Sequence, residues 1–357
     1  MTQSIRGYRP SPWELDPIGP PDAAASSAPS RHAGPPPTPV TSHVPATGPT
    51  ARWLIPIARA QTPSLNPRYA RLQRALDAFQ AAMTPTYRTR YGDVNVSATF
   101  RMNGVPATKS ASELETVARR AHVPFDAVMQ CRLGRGNPEQ IHALTQALID
   151  QGKLEPAPGE PLRKAVREMM QKYGIGVDCA GYVQQALLHA TGLNRAGARL
   201  RSLDNEDLSG LARRGYRRVD APSDVRPGDL VELGAPVPTR DDPDPDRVGH
   251  RAIVYDQHVA TAADMRHLLT YGDAASAFSV GGPIRVLDVD SSWGCGGLAE
   301  LGGVQRERWW YNEATRDWGR LIADEGGAER SFVVTPTPYG HPIAPPNGMY
   351  RDAGTGR

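Results

Sequence analysis

Proline decides where this chain can begin to fold. Fourteen of its 34 prolines fall within the first 63 residues, among Ser, Ala, Thr and Gly and few large apolar side chains. Proline fixes φ and removes a backbone donor, so such a stretch supports neither a helix nor a central strand. It also carries too little apolar surface to offset its ordering entropy. Residues 1–64 are therefore expected to form a disordered, partly polyproline-like leader, in which the apolar patch Trp53-Leu-Ile-Pro-Ile57 reads as linker.

The rest of the 357 residues is long enough for a sizeable core and more than one unit. Leu72, Leu76 and Phe79 recur at helical spacing, and Val94 to Met102 alternates like a strand closed by Asn103-Gly104. Two helical runs follow, Ser112 to Ala121 and Pro124 to Asp150, broken at His122-Val123. The stretch from Glu113 resembles a helix-turn-helix and the helical half of a LysM module; a plain helical accessory unit over 65–155 is the expectation. A helix opening at Pro161 and closing at Gly174 leads into Asp178-Cys179, where a second helix starts and runs to Gly192. Short strands come next: Leu230 to Leu233 after the turn Pro227-Gly228-Asp229, His250 to Asp256, and Ile284 to Asp290. Helices followed by antiparallel strands define an α+β fold over 156–345, with a tail at 346–357.

Net charge is +3, the pI is about 8.8, and Lys and Arg are scattered along the chain, so no nucleic-acid partner is expected. No apolar run approaches the roughly 18 residues of a membrane span. The first residues lack the apolar core of a secretory signal, which predicts a protein that stays in the cytoplasm or leaves by a specialised secretion system, the leader being the segment such machinery would read. Cys131, Cys179 and Cys295 form neither a disulfide framework nor a metal-ligand spacing, so neither metal nor cofactor is expected.

Of these thiols, Cys179 stands out. A cysteine in the first turn of a helix meets orphan N–H groups and the positive end of the dipole, which favour thiolate. A cysteine hydrolase also needs a histidine and a polar group to orient it. His250 opens a strand after a glycine, and Asp290 ends another, with Asp288 on the same side as an alternative third residue. Strand alternation allows His250 to face the helix while Ile253 and Tyr255 face away. Cys295 is a weaker candidate nucleophile because no helix start supports it, and His258, His267 and His341 read as structural. The acidic run Asp241 to Asp246 lacks the glycine and distal glutamate of a calcium loop and reads as a solvated lid. Trp309, Trp310, Tyr311 and Trp318 suit either sugar stacking or core closure, with core closure favoured.

Asp178-Cys-Ala-Gly-Tyr-Val-Gln, Arg226-Pro-Gly-Asp-Leu-Val and Gly249-His-Arg-Ala-Ile-Val-Tyr, taken in order, resemble the NlpC-type papain-like cysteine peptidases over about residues 160 to 295. The resemblance implies a papain-like core, its catalytic helix packed on an antiparallel sheet. In it Cys179 attacks a peptide carbonyl, His250 acts as base and then acid, and Asp290 orients the imidazole. It implies bacterial cell-wall peptides as substrates and Tyr173 as a candidate substrate-binding residue; Trp293, just after Asp290, is a further candidate. Ala180 departs from the serine usual after the cysteine, and insertions flank His250. The same acyl-enzyme serves a secreted effector that deamidates, cross-links or cleaves a host or rival protein, and a degenerate scaffold would serve as a binding protein.

Overall fold

The computed structural model describes residues 67–101, 110–193, 211, 213–233, 250–294, 302–323, 330–335 and 340–345. The leader, the acidic run at 241–246, Cys295 and the tail lie outside these.

Leu72, Leu76 and Phe79 line one face of α1 (Pro67–Ala82) and are buried, as their spacing requires. The expected strand over 94–102 is instead half of a hairpin, β1 (Thr86–Thr89) and β2 (Gly92–Asn95), followed by an extended segment. Helices α2 (Ser110–Arg120), α3 (Phe125–Arg132) and α4 (Pro138–Asp150) come next. The run from Pro124 is thus two helices, separated at Gly134 and Gly136; α4 restarts with a capping box, in which Asn137 Oδ1 accepts from Gln140 N at 2.8 Å.

Helix α5 (Leu162–Tyr173) ends at Gly174 in the left-handed conformation, φ 67°. Helix α6 (Cys179–Thr191) starts where Asp178 Oδ1 accepts from Gly181 N at 2.5 Å and stops at Gly192, φ 68°. After it come β3 (Arg217–Arg218), β4 (Leu230–Leu233) and β5 (His250–Val259). Two short helices, α7 (Ala262–Leu269) and α8 (Asp273–Phe278), precede β6 (Ile284–Trp293), β7 (Gly303–Asn312), β8 (Trp318–Ala323), β9 (Arg330–Thr335) and β10 (Gly340–Ala344). The strands pair in the order β3-β10-β4-β5-β6-β7-β8-β9, every neighbour antiparallel. The molecule is α+β.

The helices expected to form an accessory unit over 65–155 share their apolar core with the helices and strand that follow. One apolar core joins Leu76 of α1, Leu114 of α2, Leu144 of α4, Met170 of α5, Val183 of α6 and Ile253 of β5. The reason is area: helices of 8 to 16 residues bury their apolar stripes only against one another and against the sheet. The joint falls at the start of α6. Val177 bridges both Phe100 and Arg135, and its carbonyl accepts from Ser292 Oγ at 2.7 Å. A β-carbon on Gly181 would lie 2.0 Å from the Gly134 carbonyl oxygen, so only glycine lets α6 approach this loop.

Candidate active site around Cys179

Helix α6 packs on the sheet from the side of Leu230 and Ile253, which share its core. Cys179 is 9% exposed. Backbone N–H groups of Arg251 and Ala180 donate toward its sulfur, and the Arg251 guanidinium adds positive charge. Burial nevertheless dominates, and with the Asp178 carboxylate beside it pushes the thiol up to about 11. This reverses the lowered value expected from the helix start: the dipole acts on a group that water does not reach.

His250 is the first residue of β5 and pairs with Leu233 at the end of β4. Along β5, Ile253 belongs to the helical core, whereas Ala252 and Val254 belong to a second core with Trp293 and Trp309 on the other face. The His250 ring joins that second face, stacked on Trp293 with centroids 3.3 Å apart and 6.2 Å from Trp309. The expected parity is therefore inverted: Ile253 and Tyr255 pack toward the helices, and His250 points away from them. Its Nε2 is buried without a hydrogen-bond partner. Burial, with the Arg320 charge nearby, holds the imidazole well below its ordinary pKa and hence neutral.

Neither aspartate orients this imidazole. Asp290 is fully buried and takes both arms of Arg306, Nε to Oδ1 at 2.6 Å and NH2 to Oδ2 at 2.9 Å; Arg306 also reaches Asp77 on α1 at 3.0 Å. Asp290 pairs with Ile253, so it sits on the helical face, three residues or roughly 10 Å along the strand from His250. Burial raises its pKa and Arg306 opposes that rise. Asp288 is held the same way by Arg308 at 2.9 Å. Tyr173 is buried at the end of α5, and its hydroxyl donates to Glu113 of α2 at 2.9 Å, tying the two helices together. Trp293, by contrast, is beside His250, with Arg320 over its ring at 4.5 Å.

Two of the three expected structural histidines find partners, His258 with Asp264 at 3.0 Å and His267 with the Tyr271 hydroxyl at 2.9 Å; the side chain of His341 lies outside the described ones. Among the described residues no cluster of three His, Cys, Asp or Glu side chains is placed to hold a metal ion. Sequence reasoning missed Arg251. It faces Glu232 across β4 and β5 at 3.3 Å, and two opposite charges in otherwise apolar strands were the available signal.

The arrangement defines an α+β protein with a cysteine at a helix start, held against the strand that carries the histidine. Comparisons with models of known families, with curated proteins and with solved structures found no significant match.

Proposed function

We propose that the protein is a cysteine hydrolase that cleaves an amide bond, with Cys179 as nucleophile and His250 as proton carrier, and that the described arrangement is its resting state. One observation carries the reading: the N–H of Arg251, two covalent bonds from the His250 Cα, points at the Cys179 sulfur. Bringing the imidazole to the thiol side requires His250, the first residue of β5, to turn about its backbone and give up its pairing with Leu233 at the strand end. The stacked position is weakly held. Ring stacking gives about 0.5–1.5 kcal/mol, while a buried, unpartnered ring nitrogen costs about 1–3 kcal/mol. In the turned state the imidazole takes the thiol proton, and the thiolate attacks the carbonyl while the N–H groups of Ala180 and Arg251 stabilise the oxyanion. The imidazolium protonates the amine as the C–N bond breaks, and water deprotonated by the imidazole then cleaves the thioester and restores the thiol. Asp290 has no part in this reading, its carboxylate being the counter-ion of Arg306.

The sequence resemblance supports peptidoglycan peptides as the substrate class, with a host or rival protein as the alternative acceptor. Incubating purified sacculi with wild type and Cys179→Ala tests both points. New muropeptide fragments from wild type alone support the cell-wall reading. Fragments from both proteins remove Cys179 from the chemistry. A second reading, a binding protein on a peptidase-like scaffold, is favoured by the His250 ring lying on the face opposite α6. It predicts that Cys179 never reacts as a thiolate near neutral pH.

A further inference from the structure

The sheet face away from α6 carries polar groups that the hydrolase reading leaves unused. Trp309 Nε1 donates to Glu307 at 3.1 Å, as a buried indole should. Its neighbours do not follow. Trp293 Nε1, Trp318 Nε1 and Arg320 Nε are buried without a hydrogen-bond partner, and His250 Nε2 joins them. All four surround Trp309: Trp293 and Trp318 lie 6.2 and 6.3 Å from it, His250 6.2 Å, and Arg320 pairs with it across β7 and β8. Trp293 and Trp318 are 7% and 2% exposed, so bulk solvent does not reach these donors.

We infer that Trp293, Trp318 and Arg320, with His250 at the edge, form a binding site for a small carboxylate. Three of the groups are obligate donors, so the ligand must accept hydrogen bonds. Arg320 faces no carboxylate within ion-pairing distance among the described residues, and a buried guanidinium calls for one. Glu307 lies close enough to act on the Arg320 charge, so the site suits a singly charged anion better than a phosphate dianion.

The test uses the full chain and follows intrinsic tryptophan fluorescence and calorimetric heat during titration with N-acetylglycine, N-acetylglycinamide and inorganic phosphate. Saturable binding of N-acetylglycine with Kd on the order of 1 mM, and binding at least tenfold weaker by the amide and by phosphate, is expected. Arg320→Gln weakens N-acetylglycine binding at least tenfold with an unchanged circular-dichroism spectrum. Should that variant not fold, the acid-versus-amide comparison on wild type decides. Equal binding of acid and amide overturns the inference, as does no saturable response to N-acetylglycine. The Cys179→Ala protein binds like wild type, so loss of hydrolysis and loss of binding are separate outcomes.

Discussion

The imidazole of His250 lies flat on the indole of Trp293, 3.3 Å between centroids and 15° between planes. That contact holds the His250 ring on the sheet face away from α6 and Cys179. In the proposed hydrolase, the strength of that contact sets how often a thiolate forms.

Replacing Trp293 by leucine removes the stack while keeping an apolar side chain. A stacking contribution of about 1.4 kcal/mol corresponds to tenfold in population. Alkylation of Cys179 by iodoacetamide near neutral pH is expected to rise about tenfold in Trp293→Leu, read by peptide mass spectrometry. An unchanged rate shows that the stack does not restrain His250.

Arg306→Met strands the buried Asp290 carboxylate, and a loss of about 3–5 kcal/mol in urea unfolding is expected. Asp290→Leu combined with Arg306→Met removes both charges and recovers most of that loss. If Asp290 served His250 instead, the double variant would be stable yet lose Cys179 reactivity; the expected result is retained reactivity.

Asp229, in the turn before β4, is pushed up to about 7 by burial, although Arg226 N donates to it at 2.8 Å. Between about pH 4 and pH 7 the folded chain keeps a proton that the unfolded chain releases. This contribution to stability is full at the acid end and is lost as pH rises through that window. Urea midpoints should therefore fall from about pH 4.5 to about pH 7.5 by more in wild type than in Asp229→Asn. Parallel curves for the two proteins contradict it.

Gly181→Ala places a methyl 2.0 Å from the Gly134 carbonyl oxygen, a backbone atom that cannot swing aside. A loss of about 1–3 kcal/mol is expected, or several degrees in melting temperature. A neutral result shows that α6 does not rest on the loop between α3 and α4.

The helix at Cys179 was legible because Asp178 and Gly192 mark its ends, and β4, β5 and β6 because turn residues bound short β-branched runs. The parity of β5 was not. Ala252, Ile253 and Val254 are all apolar and all fully buried, so the strand reads as a continuous run and period two cannot say which face meets the helix. The role of Asp290 was hidden in the pairing register, which sets Arg306 opposite it from 16 residues away. The unity of the helical region with the sheet was hidden too, since it depends on Val177 meeting both Phe100 and Arg135.

The rate of Cys179 alkylation from about pH 5 to about pH 11, in wild type and His250→Ala, tests the central claim most directly. A transiently formed thiolate-imidazolium pair gives wild type a rate at neutral pH at least tenfold above that of His250→Ala, the two curves meeting only at alkaline pH. Superimposed curves that rise together toward the thiol value of about 11 contradict the hydrolase reading and leave Cys179 as a buried structural residue.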